Sequence, residues 1–217
     1  MTPYKTIYQQ AETEIIEKKS RFIGTAIPVA SQEAAEALVK EYQKNIYKDA
    51  THNCFAYRVR EGTQLIERQS DNGEPAGTAG MPILTVLRGE ELLNLLVIVT
   101  RYYGGTLLGT GGLNRAYGGT AKAALTPDNI IEKNIYHQYH VTMPYDKHGS
   151  VAYELGQTDA IVADTIYTEQ VCVVLYVIEE KAQALLADLA EWLQGSSGVQ
   201  LVSQGYGFMY GGEFVEA

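Results

Sequence analysis

The segment from residue 95 to residue 125 constrains the fold more than any other part of the sequence, because an apolar run leads through a glycine-rich loop into a helical pattern. Leu95 to Arg101 is apolar and β-branched, which predicts a central strand, and Gly112 to Leu125 predicts a helix behind it. Seven glycines occupy the sixteen positions from Gly104 to Gly119. In such a loop, backbone N–H groups can approach an anion, and the start of the helix adds positive potential. The glycines therefore predict either a phosphate or nucleic-acid contact or close packing of the backbone.

Side chains around this loop supply positive charge and aromatic surface. Arg101 and Arg115 flank the loop and can make charge-assisted contacts with phosphate. Tyr103 and Tyr117 provide rings on which a base can stack. The backbone N–H groups of the expected site belong to Gly104, Gly105, Gly109, Gly111 and Gly112. The glycine spacing matches neither the P-loop nor the Rossmann fingerprint, which argues against a catalytic nucleotide site.

A second loop, from Ser70 to Gly80, combines three glycines, one proline and two carboxylates before a predicted helix at Met81 to Arg88. Asp71 can bind backbone N–H groups of the turn and Glu74 can pair with an arginine, or the loop can bind a ligand. His52 begins a predicted strand and can lie beside the same loops, as a structural hydrogen-bonding residue or as an acid–base group. His52, Asp71 and Glu74 are therefore auxiliary site candidates, and both interpretations of the loop stay open.

Length and charge predict two domains, with a boundary near the proline-containing segment Leu125–Asp128. The 217 residues exceed a typical single domain of about 100 to 150 residues. Residues up to Thr126 include 14 basic and 13 acidic side chains, whereas the remainder has 3 basic and 13 acidic ones, within a total charge of −9. We therefore expect domains at residues 1–130 and 134–217, and only the first is suited to face a polyanion.

The first half also predicts several regular elements besides the glycine-rich segment. Strands at Glu14 to Lys18 and Arg21 to Val29 are expected around a turn at Lys19–Ser20, and another strand at Cys54 to Val59. Ser31 is the expected N-cap of a helix. One face of that helix is formed by Ala35, Leu38, Val39, Tyr42 and Ile46.

The second half predicts the order β-α-β-β-α-β, which is typical of a ferredoxin-like domain. A strand at Ile135 to Met143 precedes a helix at about residues 147–155, for which Gly156 is the expected left-handed stop. Ile161 to Thr168 and Val171 to Ile178 predict a hairpin. An amphipathic helix then ends at Gly195, and the last expected strand covers residues 199–209.

Four blocks of the first half, in order, resemble the signature blocks of the IMPACT family in its bacterial YigZ-like branch. They are SRFIG at residues 20–24, ATHNCFAY at 50–57, DNGEPAGTAG at 71–80, and TRYYGG at 100–105 with GGLNRAY at 111–117. The resemblance implies an α+β protein of two α/β-sandwich domains. The first would be like domain IV of elongation factor G and a domain of a small-subunit ribosomal protein, and the second would be ferredoxin-like.

The family resemblance, the glycine loop flanked by two arginines and the confinement of most basic residues to the first half together predict the function. We expect a non-catalytic, translation-associated regulatory protein of the cytoplasm that binds RNA or the ribosome through its first domain. Two alternatives stay open. One is a small enzyme or ligand-binding protein that takes a phosphorylated or nucleotide ligand at the glycine-rich cleft, with Glu74 or His52 as the acid–base group. The other is an interaction module whose acidic second domain binds a basic partner. The two isolated cysteines and the short apolar runs predict no metal, no cofactor and no membrane helix.

Overall fold

The computed structural model describes residues 1–195 and 198–217, and it divides the chain into two compact units. The first unit is Tyr4–Ile131, and the second is Glu132–Ala217 together with Met1–Pro3. Each unit has its own sheet and its own helices, so the protein has a two-domain α+β fold. Within the described residues, no helix is long and apolar enough to cross a bilayer.

The first unit is built on an antiparallel sheet with helices on both faces. The five strands of this sheet are β2 (Ala11–Glu17), β3 (Ser20–Pro28), β4 (His52–Glu61), β5 (Gln64–Ser70) and β6 (Leu95–Tyr102). The unit also includes β1 (Tyr4–Ile7), which lies outside this sheet. Its α-helices are α1 (Gln32–Glu41), α2 (Gly80–Gly89) and α3 (Gly109–Ala124). The sheet order is β2-β3-β6-β4-β5, so the apolar run predicted as a central strand is the central strand.

The burial of both faces of β6 explains why this strand is apolar at each position from Leu95 to Val99. Leu95, Val97 and Val99 pack in the core that α2 and α3 cover. Leu96 and Ile98 point to the opposite face and pack in the core that α1 covers. A strand with helices on both faces buries both of its side-chain sets, and it therefore lacks the polar alternation of a half-exposed strand.

The hairpin between β2 and β3 turns one residue earlier than the sequence predicts. Glu17 pairs with Ser20, so the two turn residues are Lys18 and Lys19 instead of Lys19 and Ser20. Both lysines have positive φ, 46° and 68°. Two-residue hairpin loops favour this conformation because its twist matches the twist of the strands, although Asn-Gly adopts it with less strain than lysine does.

Helix α1 begins as predicted but ends before its expected last turn. The Ser31 Oγ accepts the Ala34 N–H at 3.1 Å, which confirms the N-cap. The α-helix ends at Glu41, and a π-helical segment covers Tyr42–Ile46. The wider π turn shifts the helical periodicity, so Ile46 is 48% exposed instead of lying on the buried face.

The second unit has the predicted order of elements, with one more strand at its end. Its strands are β7 (Ile130–Met143), β8 (Ile161–Tyr167), β9 (Val171–Ile178), β10 (Gly198–Tyr210) and β11 (Glu213–Glu216), and its helices are α4 (Tyr145–Leu155) and α5 (Glu179–Leu193). The antiparallel order is β11-β10-β7-β9-β8. Apolar residues of α4 and α5 share one core with β7 and β9.

Three details of the second unit differ from the prediction. Strand β7 begins at Ile130, five residues before the expected start, and β11 was not predicted. Gly156 is right-handed, with φ −64°, because its N–H continues the helical pattern by donating to the Ala152 carbonyl at 3.1 Å. Left-handed residues instead follow α5, at Gln194 and Gly195.

Candidate functional site

The two informative loops of the first unit meet at a cleft of about 420 Å³. The loop between β5 and α2 contributes Glu74, and the segment between β6 and α3 contributes Tyr103 and the start of α3 at Gly109. His52 and Arg101 lie on neighbouring strands, where their backbones are paired in register. We call this the loop cleft.

A buried ion pair occupies the floor of the loop cleft. The Arg101 Nη1 donates to the Glu74 Oε1 at 2.6 Å, and both side chains are about 5% exposed or less. The Tyr117 hydroxyl donates to the same carboxylate oxygen at 2.8 Å. Burial strongly raises the pKa of Tyr117, so its hydroxyl stays protonated and remains a donor. Since the Tyr117 ring is fully buried, it offers no face to a base, contrary to the expectation from sequence.

Arg101 makes further contacts, although its buried Nε has no hydrogen-bond partner among the described residues. Its Nη2 donates to the Ser20 Oγ at 3.2 Å, and its guanidinium carbon lies 5.3 Å from the ring centres of both Phe22 and Tyr103. A guanidinium packed between aromatic rings and paired with a carboxylate is neutralised and fixed. The expected direct phosphate contact by Arg101 therefore does not fit this arrangement, in which Arg101 orients Glu74.

Two hydrogen-bond acceptors remain available beside the ion pair. The His52 Nδ1 lies 2.9 Å from the Asn72 carbonyl, so this nitrogen carries the proton, and in the neutral ring Nε2 is an acceptor. The His52 Nε2 is 3.8 Å from the Glu74 Oε1. The second carboxylate oxygen, Glu74 Oε2, has no hydrogen-bond partner in the described part of the chain and is not sealed from solvent.

Asp71 holds the loop that carries Glu74. Its Oδ1 accepts the N–H groups of Ala79 and Gly80 at 2.9 and 2.8 Å, and its Oδ2 accepts the Gly77 N–H at 2.8 Å. Burial raises the pKa of Asp71, but these backbone hydrogen bonds together outweigh it and lower that pKa below its ordinary value. These contacts agree with the first interpretation of the loop, in which Asp71 binds backbone N–H groups and Glu74 pairs with an arginine. Glu74 also lines the cleft.

Cys54 lies directly behind this loop and belongs to the core. Its Sγ lies 2.9 Å from the Asp71 carbonyl oxygen, to which the thiol donates. Burial raises the pKa of Cys54 to about 12. A thiol with that pKa is a poor nucleophile at neutral pH, so Cys54 has a packing role.

The glycines near α3 serve different purposes. A Cβ atom at Gly104 would lie 2.0 Å from the Lys19 carbonyl carbon, so close backbone packing requires glycine there. Gly105 and Gly109 have positive φ, 80° and 70°. Gly109 begins α3, and Gly111 and Gly112 follow in its first turn, where no side chain caps the free N–H groups. These N–H groups remain available to an anion.

Arg115 lies outside the loop cleft, on the exposed side of α3. It lines a groove of about 260 Å³ with Lys18 of the β2–β3 turn and with Gly112 and Gly119, and Glu17 also borders this groove. Among the described residues, neither Arg115 nor Lys18 has an ion-pair partner. We call this the basic groove. The contribution of Lys18 was not predicted, because the sequence does not show that a turn almost a hundred residues away packs beside α3.

The structure thus separates the predicted site residues into distinct groups. Those that line the loop cleft are His52, Glu74, Arg101, Tyr103 and Gly109. Those that line the basic groove are Gly112 and Arg115. Supporting positions outside both linings are Asp71, Gly104, Gly105, Gly111 and Tyr117. Leu108 borders both the cleft and the groove, so the two features adjoin at the start of α3.

Comparison with known proteins gives matches along most of the chain. The Impact N-terminal domain matches residues 18–125, and a domain of unknown function, DUF1949, matches residues 141–196. A crystal structure described only as that of a hypothetical protein is 33% identical, covers 94% of this chain and 98% of its own, and superposes with a TM-score of 0.56.

The curated relatives include bacterial and vertebrate proteins. The mouse protein named Protein IMPACT is 34% identical over 98 residues, which are 44% of this chain and 30% of that protein. IMPACT family member YigZ of Escherichia coli is 36% identical over 82% of this chain and 88% of its own length. IMPACT family member YvyE of Bacillus subtilis is 34% identical over 91% of this chain and 90% of its own length. Because the similarity to the bacterial proteins extends through both units, the chain belongs to the IMPACT family.

Proposed function

We propose that the protein is a translation-associated regulator that binds RNA or the ribosome through its first unit. The observation that carries the proposal is the basic groove. There Arg115 of α3 and Lys18 of the β2–β3 turn are exposed beside two glycines of α3. Glycines at Gly112 and Gly119 let a sugar-phosphate backbone approach the helix closely. Lys19, the second residue of the same turn, is also exposed and adds charge nearby.

The distribution of charge supports the first unit as the RNA-binding part. Fourteen of the 17 basic residues precede Pro127, whereas residues from Pro127 onward include 13 acidic and 3 basic side chains. Binding to a polyanion depends on cations that displace its counterions. We expect the acidic second unit to stay out of contact with RNA. We also expect the protein to be located in the cytoplasm, where RNA is available.

The finer fold assignments form part of the same proposal. The second unit has the element order β7-α4-β8-β9-α5-β10, with the strand order β10-β7-β9-β8. This order supports a ferredoxin-like domain to which β11 is added. For the first unit we propose a likeness to domain IV of elongation factor G, a likeness that would agree with ribosomal contacts at the basic groove.

The test is the salt dependence of binding to single-stranded RNA, measured by fluorescence anisotropy with the full chain. Arg115→Ala and Lys18→Ala should each weaken binding to all sequences and reduce the log–log salt slope by about 0.7 to 1. Lys122→Ala is the matched control, because Lys122 is on the same helix but pairs with Glu90 at 2.8 Å. Absence of binding to RNA and to ribosomal subunits at low salt, or equal effects of Arg115→Ala and Lys122→Ala, refutes the proposal.

The enzymatic alternative has one observation in its favour. His52 and Glu74 lie 3.8 Å apart at the loop cleft, a geometry that suits proton transfer through a bound ligand. Incubation with nucleotides and phosphorylated metabolites, followed by product analysis, tests it. Turnover that Glu74→Gln abolishes would support an enzyme, whereas intact ligands throughout the screen would reject it.

A further inference from the structure

The loop cleft has a polar floor that accepts hydrogen bonds. Glu74 Oε2 is unpartnered in the described part of the chain, although the Glu74 side chain is 96% buried, at 4% exposure. Its position is fixed because Arg101 and Tyr117 both hold the other oxygen. With the ring proton on Nδ1, which faces the Asn72 carbonyl, the His52 Nε2 offers a second acceptor nearby. A group bound at this floor must therefore present hydrogen-bond donors.

The rest of the loop cleft suits a flat, largely apolar group. Pro75, Leu107 and Leu113 line its walls, and Tyr103 is 45% exposed at its edge. A volume of about 420 Å³ is within the range of about 300 to 1,000 Å³ that small-molecule sites occupy. The uncapped first turn of α3, which begins at Gly109, also lines the cleft and presents N–H donors. The cleft thus combines acceptors, apolar walls and a site for an anion.

We propose that the loop cleft binds one guanine nucleotide, with the base on the floor and its phosphate at the start of α3. Guanine presents two adjacent donors, N1–H and the N2 amino group, on one edge. Uracil presents one N–H between two acceptors, and adenine and cytosine each place a ring acceptor beside their amino group. An acceptor on Glu74 and a second one on His52, whose Nε2 is 3.8 Å from the Glu74 Oε1, therefore favour guanine over the other bases.

This inference deepens the proposed function and rests on it where the nucleotide belongs to an RNA strand. The loop cleft adjoins the basic groove at Leu108, so one strand can place a base in the cleft and its neighbouring phosphates at Arg115. Proteins that read single-stranded RNA commonly hold unstacked bases in this way, with hydrogen bonds to the Watson–Crick edge and aromatic stacking. The basic groove then gives affinity and the loop cleft gives base preference.

The experiment compares uridine-rich RNA oligonucleotides that differ at one central base, using the full chain and fluorescence anisotropy. Central guanine should bind about tenfold more tightly than central uracil, adenine or cytosine. Inosine keeps N1–H but lacks the N2 amino group, so its affinity should fall between those of guanine and uracil. A parallel titration with guanosine and adenosine monophosphates tests the free nucleotide as the source of the base.

Three variants separate the base preference from the general affinity for RNA. Glu74→Gln replaces the acceptor with a group that can turn an N–H toward guanine, and it should abolish the preference. Tyr103→Ala removes a ring that is 45% exposed and also lies against Arg101, so it should weaken guanine binding, while Phe22, Ser20 and Glu74 still contact Arg101. Arg115→Ala should weaken binding to every oligonucleotide equally and leave the preference intact. Circular dichroism spectra of all three establish that they are folded, and Tyr103→Ala remains informative if Glu74→Gln is not.

The outcomes distinguish this inference from the proposed function. RNA binding with equal affinity for all four bases refutes the guanine site and leaves the proposed function standing. Binding of guanosine monophosphate without binding of RNA or of ribosomal subunits supports the site for a free nucleotide and refutes the proposed function. No binding of the nucleotide, of RNA or of ribosomal subunits refutes both. A guanine preference that survives both Glu74→Gln and Tyr103→Ala assigns recognition to another surface and overturns the inference.

Discussion

Replacement of Asp71 by asparagine should destabilise the first unit, because one carboxylate accepts three backbone N–H groups there. An asparagine carbonyl can still accept from Ala79 and Gly80, but as a neutral partner, and its NH₂ group then faces the Gly77 N–H donor. One charge-assisted hydrogen bond is lost and two are weakened. At about 1.5 to 3 kcal/mol for a charged and 0.5 to 1.5 kcal/mol for a neutral hydrogen bond, the three changes add up to about 3.5 to 6 kcal/mol. Because Gly77 is exposed and water can bind its N–H, we expect a loss near the lower end of that range.

The assay is urea unfolding of the full chain at neutral pH, and far-UV circular dichroism monitors the unfolding. Asp49→Asn is the matched control, because the exposed Asp49 accepts a single hydrogen bond, from the Tyr102 hydroxyl at 3.1 Å. We expect that control to lose less than about 1 kcal/mol. An Asp71→Asn variant as stable as Asp49→Asn would show that the three hydrogen bonds do not hold the loop.

The pH dependence gives an independent check on the role of Asp71. Its pKa is lowered in the folded protein, so its carboxylate contributes stability that is fully present above its unfolded pKa of about 4. That contribution is lost as the pH falls through the lower folded pKa. The stability difference between wild type and Asp71→Asn should therefore shrink in acid. A difference that is the same at neutral pH and well below the folded pKa would refute the reasoning.

Further predictions concern backbone packing, thiol reactivity and the hairpin turn. Gly104→Ala should cost more than about 3 kcal/mol in urea unfolding, because its Cβ overlaps the β2–β3 backbone, whereas Gly119→Ala, with open space in a helix, should gain about 0.5 to 1 kcal/mol. Iodoacetamide should modify Cys172 well before Cys54, whose pKa is raised to about 12, and peptide mass spectrometry would detect the order. Replacing Lys18–Lys19 with Asn-Gly should raise stability by about 1 kcal/mol while weakening RNA binding in the same anisotropy assay.

Local patterns in the sequence were sufficient to predict most of the elements. The order of strands and helices in the second unit follows from periodicity, and the central position of β6 follows from its apolar run. Ser31 was predicted as a helix cap because a serine directly before a helical pattern is a sufficient local signal for an N-cap. Errors arose where the local signal was ambiguous, as at Gly156, whose residue type permits a left-handed conformation that the structure does not use.

The sites were harder to predict because their members are brought together by tertiary packing. The sequence indicated that Arg101, Arg115 and Tyr117 belong near one loop, but it did not show which faces they occupy. In the structure, Tyr117 faces the core and Arg115 faces solvent. Similarly, an arginine partner for Glu74 was one of two open interpretations, and the sequence did not identify that arginine as Arg101.

The contact between Glu74, Arg101 and Tyr117 has a consequence for how the first unit folds. Its members come from the loop before α2, the end of β6 and the middle of α3, so the three segments must be docked before the contact exists. If the loop detaches, burying the guanidinium without its carboxylate is very unfavourable, so water must enter the space. If α3 detaches, the carboxylate loses the Tyr117 donor and its cover from solvent. The last stages of assembly are therefore cooperative, and partly folded chains lack the cleft altogether.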